Sequence, residues 1–236
     1  MRNQITKTQF IVSCVINGLN TILYFMSYDF TLNYYCLIYL TVITLDLNSI
    51  YLFLSFICDI SFFIFKSEKL EAMNGFLRNK VCHVLNPISY LVTILFWGIG
   101  AFGGMGDIFA NFLFCLFNIY AHLLITIFVI IDLLIADHEK HSFSCWILSI
   151  IYGYIIAYAI FCAILTLKFD NPPYPFLQEI SIVPLLLYYA AFSVVCLLCY
   201  LLHLFIIKMK YKYIVKENNE NNVKESISEM NDKMNV

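Results

Sequence analysis

Residues 36–63 run from Cys36 to Phe63 and read CLIYLTVITLDLNSIYLFLSFICDISFF. The only charges in this stretch are two carboxylates, Asp46 and Asp59. About 20 apolar residues in a helix cross the hydrocarbon layer, and an unbroken helix pairs its own N–H and C=O groups there. Residues 36–63 are therefore read as a membrane-spanning helix. Five other stretches meet the same criterion: roughly 8–28, 81–103, 108–133, 143–167 and 180–207. The composition agrees, with 61% hydrophobic and 13% charged residues over 236 positions, against about 25% charged in soluble domains. A soluble enzyme, a disordered chain and a disulfide-stapled secreted scaffold are excluded on this ground. The expectation is an all-α polytopic membrane protein, a six-helix transmembrane bundle.

The placement of Lys and Arg orients such a bundle. Arg2 and Lys7 precede the first span, Lys66, Lys69, Arg78 and Lys80 fall between the second and third, and Lys140 lies between the fourth and fifth. Lys208, Lys210, Lys212, Lys216, Lys224 and Lys233 follow the sixth, which leaves only Lys168 for the opposite side. Both termini are thus expected in the cytoplasm, with the membrane that of the endoplasmic reticulum or the cell surface. The first stretch is too long for a signal-peptide core and is read as a retained span. The chain divides into a membrane domain, 1–207, and a tail, 208–236, basic at first and then polar and disordered. A formal charge of −2 gives no purchase on nucleic acid.

Several patterns resemble chemistry without supporting it. Nine cysteines would be a disulfide framework in a small secreted protein. Here most lie within apolar runs, where Cys acts as a small hydrophobe. The pair Cys196 and Cys199 has metal spacing but no second pair. Gly98, Gly100 and Gly103 match a dinucleotide fingerprint, which requires a preceding strand and a βαβ unit. The chain offers neither, so a glycine-rich turn between spans three and four is expected. His138 and His141 are too few for a closed zinc site and are read as a solvated loop. No metal ligand and no cofactor are assigned.

The informative residues are polar and lie inside spans. At about 100° per residue, Thr41, Thr44, Asn48, Ser55 and Asp59 share one face of the second span. Asn111, Cys115, Asn118, His122 and Thr126 form a second stripe in the fourth. Polar groups in hydrocarbon turn toward the bundle interior. From the stripes alone, helix–helix glue is the leading reading, ahead of a solute path or a catalytic surface. Asp46 points away from the first stripe and is expected to pair with span one or three, or to be protonated.

In this setting Ile38-Tyr39-Leu40-Thr41, with Asp59 eighteen residues on, resembles the second span of the androgen-induced-gene and androgen-dependent tissue-factor-pathway-inhibitor-regulating protein family. The resemblance continues through Leu77-Arg78-Asn79, Pro87, Phe96-Trp97, Asn118-Ile119-Tyr120-Ala121-His122 and Tyr174-Pro175-Phe176-Leu177. It implies an intramembrane threonine hydrolase of lipid esters, notably fatty acid esters of hydroxy fatty acids, with Thr41 as nucleophile and His122 as the essential histidine. The sequence departs from the family at Ile119, where a second His is usual, and at Thr44 and Asn48, where the family carries Asp or Asn and Gln.

The expected mechanism is attack by Thr41, activated by His122, through an acyl-threonine. Asn48, Asn118 and Thr44 are candidates for supporting roles, and Asn48 for stabilising the oxyanion. The expected partners are a lipid ester drawn from the bilayer and membrane lipids. Thr41 stands about five residues into its span and His122 about fourteen, an offset of roughly 13 Å in straight parallel helices. The alternatives are a small-solute or proton-coupled transporter using Asp46, Asp59 and His122, and a non-catalytic membrane scaffold.

Overall fold

A computed structural model describes residues 7–26, 39–65, 67–103, 112–136, 141–169, 187 and 189–213. Among these residues the protein is all-helical, with no strand. Helix α1 is Lys7–Met26 and α2 is Leu40–Phe65. Helix α3 (Glu68–Phe76) runs through a π turn, Leu77–Val81, into α4 (Cys82–Gly103). Helix α5 (Phe112–Ile119) likewise continues through a π turn, Tyr120–Leu124, into α6 (Ile125–Ile135). The last two are α7 (Cys145–Phe169) and α8 (Tyr189–Tyr213).

Five helical stretches are long and apolar enough to cross a membrane: Leu40–Phe62, Lys69–Gly98, Cys115–Ile135, Cys145–Thr166 and Tyr189–Tyr213. The apolar part of α1, Phe10–Met26, is shorter. Large apolar side chains cover the outside, among them Ile50, Phe53, Ile57, Ile156 and Ile160. The interior holds Asn17, Asn20, Asn48, Ser55, Asp59, Arg78, His83 and His203, all buried. This inverted distribution is that of a protein whose solvent is lipid.

Two boundaries differ from the sequence reading. The third span does not begin at 81 after a charged loop, because the chain is helical from Glu68 onward. Arg78 is not a loop residue at all: its side chain is only 3% exposed, facing Asp59. The charge is drawn inside because acidic partners wait there. The sixth helix extends past 207 to Tyr213, which puts Lys208, Lys210 and Lys212 on its final turns. Lys210 turns back to donate to the carbonyls of Leu133 (2.9 Å) and Ala136. A cation at the carboxyl end of α6 is favoured by the unpaired carbonyls there. Residues 214–236, and with them most of the expected tail, lie outside the described residues, as do Asn111 and Tyr174–Leu177.

Tyr120 links three helices. Its hydroxyl donates to Asn20 Oδ1 of α1 (2.8 Å) and lies 3.1 Å from Ser49 Oγ of α2. Both partners are buried. Tyr120→Phe is expected to lower stability by about 1 kcal/mol, since it leaves Asn20 Oδ1 only the longer bond from Ser49 Oγ (3.4 Å). Thermal unfolding in nanodiscs measures it; an unchanged midpoint would mean this link carries nothing.

Candidate functional site

Both polar stripes face inward. Thr44, Asn48, Ser55 and Asp59 are buried along α2, and Asn118, His122 and Thr126 are buried across the π turn. Thr41 is half-buried, at the second position of α2. In a helix's first turn the backbone N–H groups have no acceptor within the helix. The Leu40 N–H is satisfied from outside by the Tyr158 hydroxyl of α7, at 2.9 Å. Tyr154, one turn earlier on α7, faces Thr44 without a hydrogen bond of ordinary geometry.

His122 sits in the middle of a π turn, a local widening of the helix that recurs at functional sites. Its ring stacks on Phe96, with centroids 3.4 Å apart and planes 8° from parallel. The Trp97 indole donates to the His122 carbonyl at 3.3 Å. The imidazole is therefore held by α4, while its Nδ1 is buried with no partner. Asn48 Oδ1 is also buried without a partner, while Thr44 Oγ1 and the Tyr154 hydroxyl face one another. Asn48 spends one N–H on the carbonyl of Thr44, at 2.7 Å. Buried polar atoms are nearly always paired, so the uncommitted His122 Nδ1 and Asn48 Oδ1 are the groups here open to a polar ligand.

No hydrogen bond joins Thr41 to His122. The relative register of their helices is set by two cross-links, Ser49 to Tyr120 and Tyr51 to Asp132 (2.7 Å). The partners are 71 and 81 positions apart. The first link puts Thr41 level with Phe112, and the second puts it level with His122 itself. The two helices run in the same sense, and the two links bracket the offset between none and about 15 Å, so they do not by themselves bring Thr41 to His122.

Asp46 accepts from the Tyr24 hydroxyl of α1 at 3.0 Å, the expected pairing with span one. Asp59 accepts from Asn74 Nδ2 at 2.7 Å and from Arg78 Nη2 at 2.6 Å, and the same Nη2 lies 3.8 Å from Asp132 Oδ1. Tyr51 donates to Asp132 Oδ2. The charge count placed Arg78 in a loop, so this buried cluster was not foreseen.

A third polar group, also unforeseen, joins α4 to α8. His83 Nδ1 lies 2.7 Å from His203 Nε2, and Cys82 Sγ lies 3.7 Å from His83 Nδ1. His141, expected in a solvated loop, instead stacks on His83 with centroids 4.1 Å apart. Burial and the nearby Lys80 ammonium push the His141 imidazole below its usual value. His138 lies outside the described residues. Only a reading that combined residues 120 positions apart could have found this group.

The glycine pattern at 98–103 is helical as far as Gly103, at the end of α4, rather than a turn. A Cβ built at Gly98 meets nothing within 4 Å. A phosphate-cradling loop needs the backbone bare, and this position does not. Gly98→Ala is expected to raise stability by up to about 1 kcal/mol through helix propensity. A fall of that size in thermal unfolding would mean a hidden close contact.

The profile of the FAR-17a/AIG1-like protein family matches residues 6–208. The chain belongs to the FAR-17a/AIG1-like family. No curated protein and no solved structure matches it. The match takes in every helix except the end of α8, so both π turns and both polar stripes lie in the part this FAR-17a/AIG1-like membrane protein shares with its family.

Proposed function

We propose that this protein is an intramembrane hydrolase of lipid esters, with Thr41 as nucleophile and His122 as general base. The carrying observation is His122: a buried imidazole, clamped between Phe96 and its own π turn, with a ring nitrogen left uncommitted. Helix α2 is tied through Ser49–Tyr120 and Tyr51–Asp132 to the same continuous helix that carries His122. Six spans with both ends cytoplasmic complete the reading, α1 being the shorter sixth.

In this reading the imidazole takes the Thr41 hydroxyl proton as Oγ1 attacks the ester carbonyl. It then protonates the departing alcohol, leaving an acyl-threonine. Water, deprotonated by the same ring, releases the acid and restores Thr41. The oxyanion would be met by the Thr41 N–H, since the Leu40, Val42 and Ile43 N–H groups are engaged by Tyr158 and Tyr39, and by the second N–H of Asn48, contacts typically worth about 3–4 kcal/mol. Asn118, one turn before His122, and Thr44 hold the polar lining. The substrate is a fatty acid ester of a hydroxy fatty acid entering from the bilayer; no cofactor is required.

The transporter reading loses support from the same contacts. Asp46 is engaged by Tyr24 and Asp59 by Arg78 and Asn74, so neither carboxylate is uncommitted. The test is hydrolysis of a hydroxy-fatty-acid ester by purified protein in nanodiscs. Turnover silenced in Thr41→Ala is expected. An absence of both turnover and labelling by a fluorophosphonate probe would overturn the assignment.

A further inference from the structure

We propose that Cys82, His83 and His203 form a binding site for a divalent transition-metal ion of the zinc class, with water completing the tetrahedron. The three donor atoms lie within 4.8 Å of one another, and all three residues are buried. Tetrahedral zinc with Zn–N of about 2.0–2.1 Å and Zn–S of about 2.3 Å sets N···S near 3.6 Å and N···N near 3.3 Å. The Cys82–His83 separation of 3.7 Å already meets this. The His83–His203 separation of 2.7 Å has only to widen by a rotamer adjustment.

The second observation is the polar surroundings. His83 Nε2, His203 Nδ1 and His141 Nε2 are buried without a partner, and Asn86 and the Tyr90 hydroxyl, also buried, face one another. With a metal on His83 Nδ1 and His203 Nε2, the opposite nitrogens of both rings carry protons. Metal-bound imidazoles pass that N–H to a nearby oxygen or water. Asn86 and Tyr90 follow His83 by one and two turns on the same face of α4, and the Tyr90 ring lies 6.2 Å from that of His203.

The position indicates a structural role. Helices α7 and α8 are the least enclosed of the spans, with 22% and 33% of their most apolar windows buried. His203 belongs to α8, and His141 lies just before α7. The metal would fasten α8 to α4 at the Arg78 end of the bundle, with His141 stacked against the His83 ring. Trp97, which contacts His122, is fourteen residues further along α4, about 20 Å away. The site is independent of the proposed esterase chemistry. Binding exchanges the Cys82 S–H proton, released to water, for an S–metal bond.

The test uses the full chain in nanodiscs, stripped by a chelator and titrated with cobalt(II), then zinc. One cobalt per chain is expected, with the absorption of a tetrahedral ion and a thiolate-to-cobalt charge-transfer band, both abolished by zinc. Zinc should raise the unfolding midpoint by several degrees. Cys82→Ser should remove the charge-transfer band and His203→Gln should weaken binding at least tenfold, whereas Cys14→Ser should change neither. A tetrahedral cobalt spectrum that survives in the Cys82→Ser/His203→Gln double variant would overturn the site. Where those variants do not fold, a wild-type protein lacking the thiolate band overturns it equally.

Discussion

Thr41→Ala is expected to reduce hydroxy-fatty-acid ester hydrolysis by at least about 10⁴-fold, the scale on which removal of a covalent nucleophile acts, with the fold intact. The separation of activity from stability is what makes this decisive. Thr41 is half-buried at the second position of α2 and makes no side-chain hydrogen bond. Losing its hydroxyl and methyl group should cost no more than about 1 kcal/mol. Thr41→Ser keeps a hydroxyl at the same atom and should retain measurable turnover. His122→Gln should be as silent as Thr41→Ala, because an amide holds the space beside Phe96 but cannot take a proton. The double variant should be no worse than either single one, since nucleophile and base act as one unit. Activity that persists in Thr41→Ala at the wild-type unfolding midpoint would remove Thr41 from the chemistry.

How much of this could be read from the sequence depends on how far apart the cooperating residues lie. The face that buries Thr44, Asn48, Ser55 and Asp59 was legible because one helix carries all four and 100° per residue settles their direction. His122 was legible as a lone imidazole in an apolar run. Its clamp was not, because the π turn at Tyr120–Leu124 and the stack on Phe96 depend on α4. Arg78 was misplaced for a physical reason. A rule that assigns basic residues to aqueous loops presumes that burial of a cation is prohibitive, and here two carboxylates from other helices remove that objection. Cys82, His83 and His203 looked like isolated residues in apolar surroundings. Only the packing of α8 on α4 makes them neighbours.

Arg78→Ala is expected to destabilise the bundle by about 3–5 kcal/mol, the cost of leaving buried charge without its counter-ion. Arg78 is 3% exposed and its guanidinium contacts Asp59 at 2.6 Å and Asp132 at 3.8 Å, on α2 and α6 respectively. Asn74 and Tyr51 hold the same two carboxylates from the other side, at 2.7 Å each. Removing Arg78 leaves both acids in place and takes away the cation between them, so one must be protonated or water must enter. Arg78→Lys should recover only part of the loss, because a single ammonium cannot reproduce a planar fork between two helices. The informative variant is Arg78→Ala combined with Asp59→Asn, which removes one charge of each sign and keeps the same truncated stem. If the lost counter-ion rather than lost packing sets the cost, the pair should be more stable than Arg78→Ala alone, since deleting both members of a buried ion pair is cheaper than deleting one. Unfolding midpoints in nanodiscs measure all four proteins. A double variant as unstable as Arg78→Ala would mean that the arginine's contribution is the packing of its stem and not its charge.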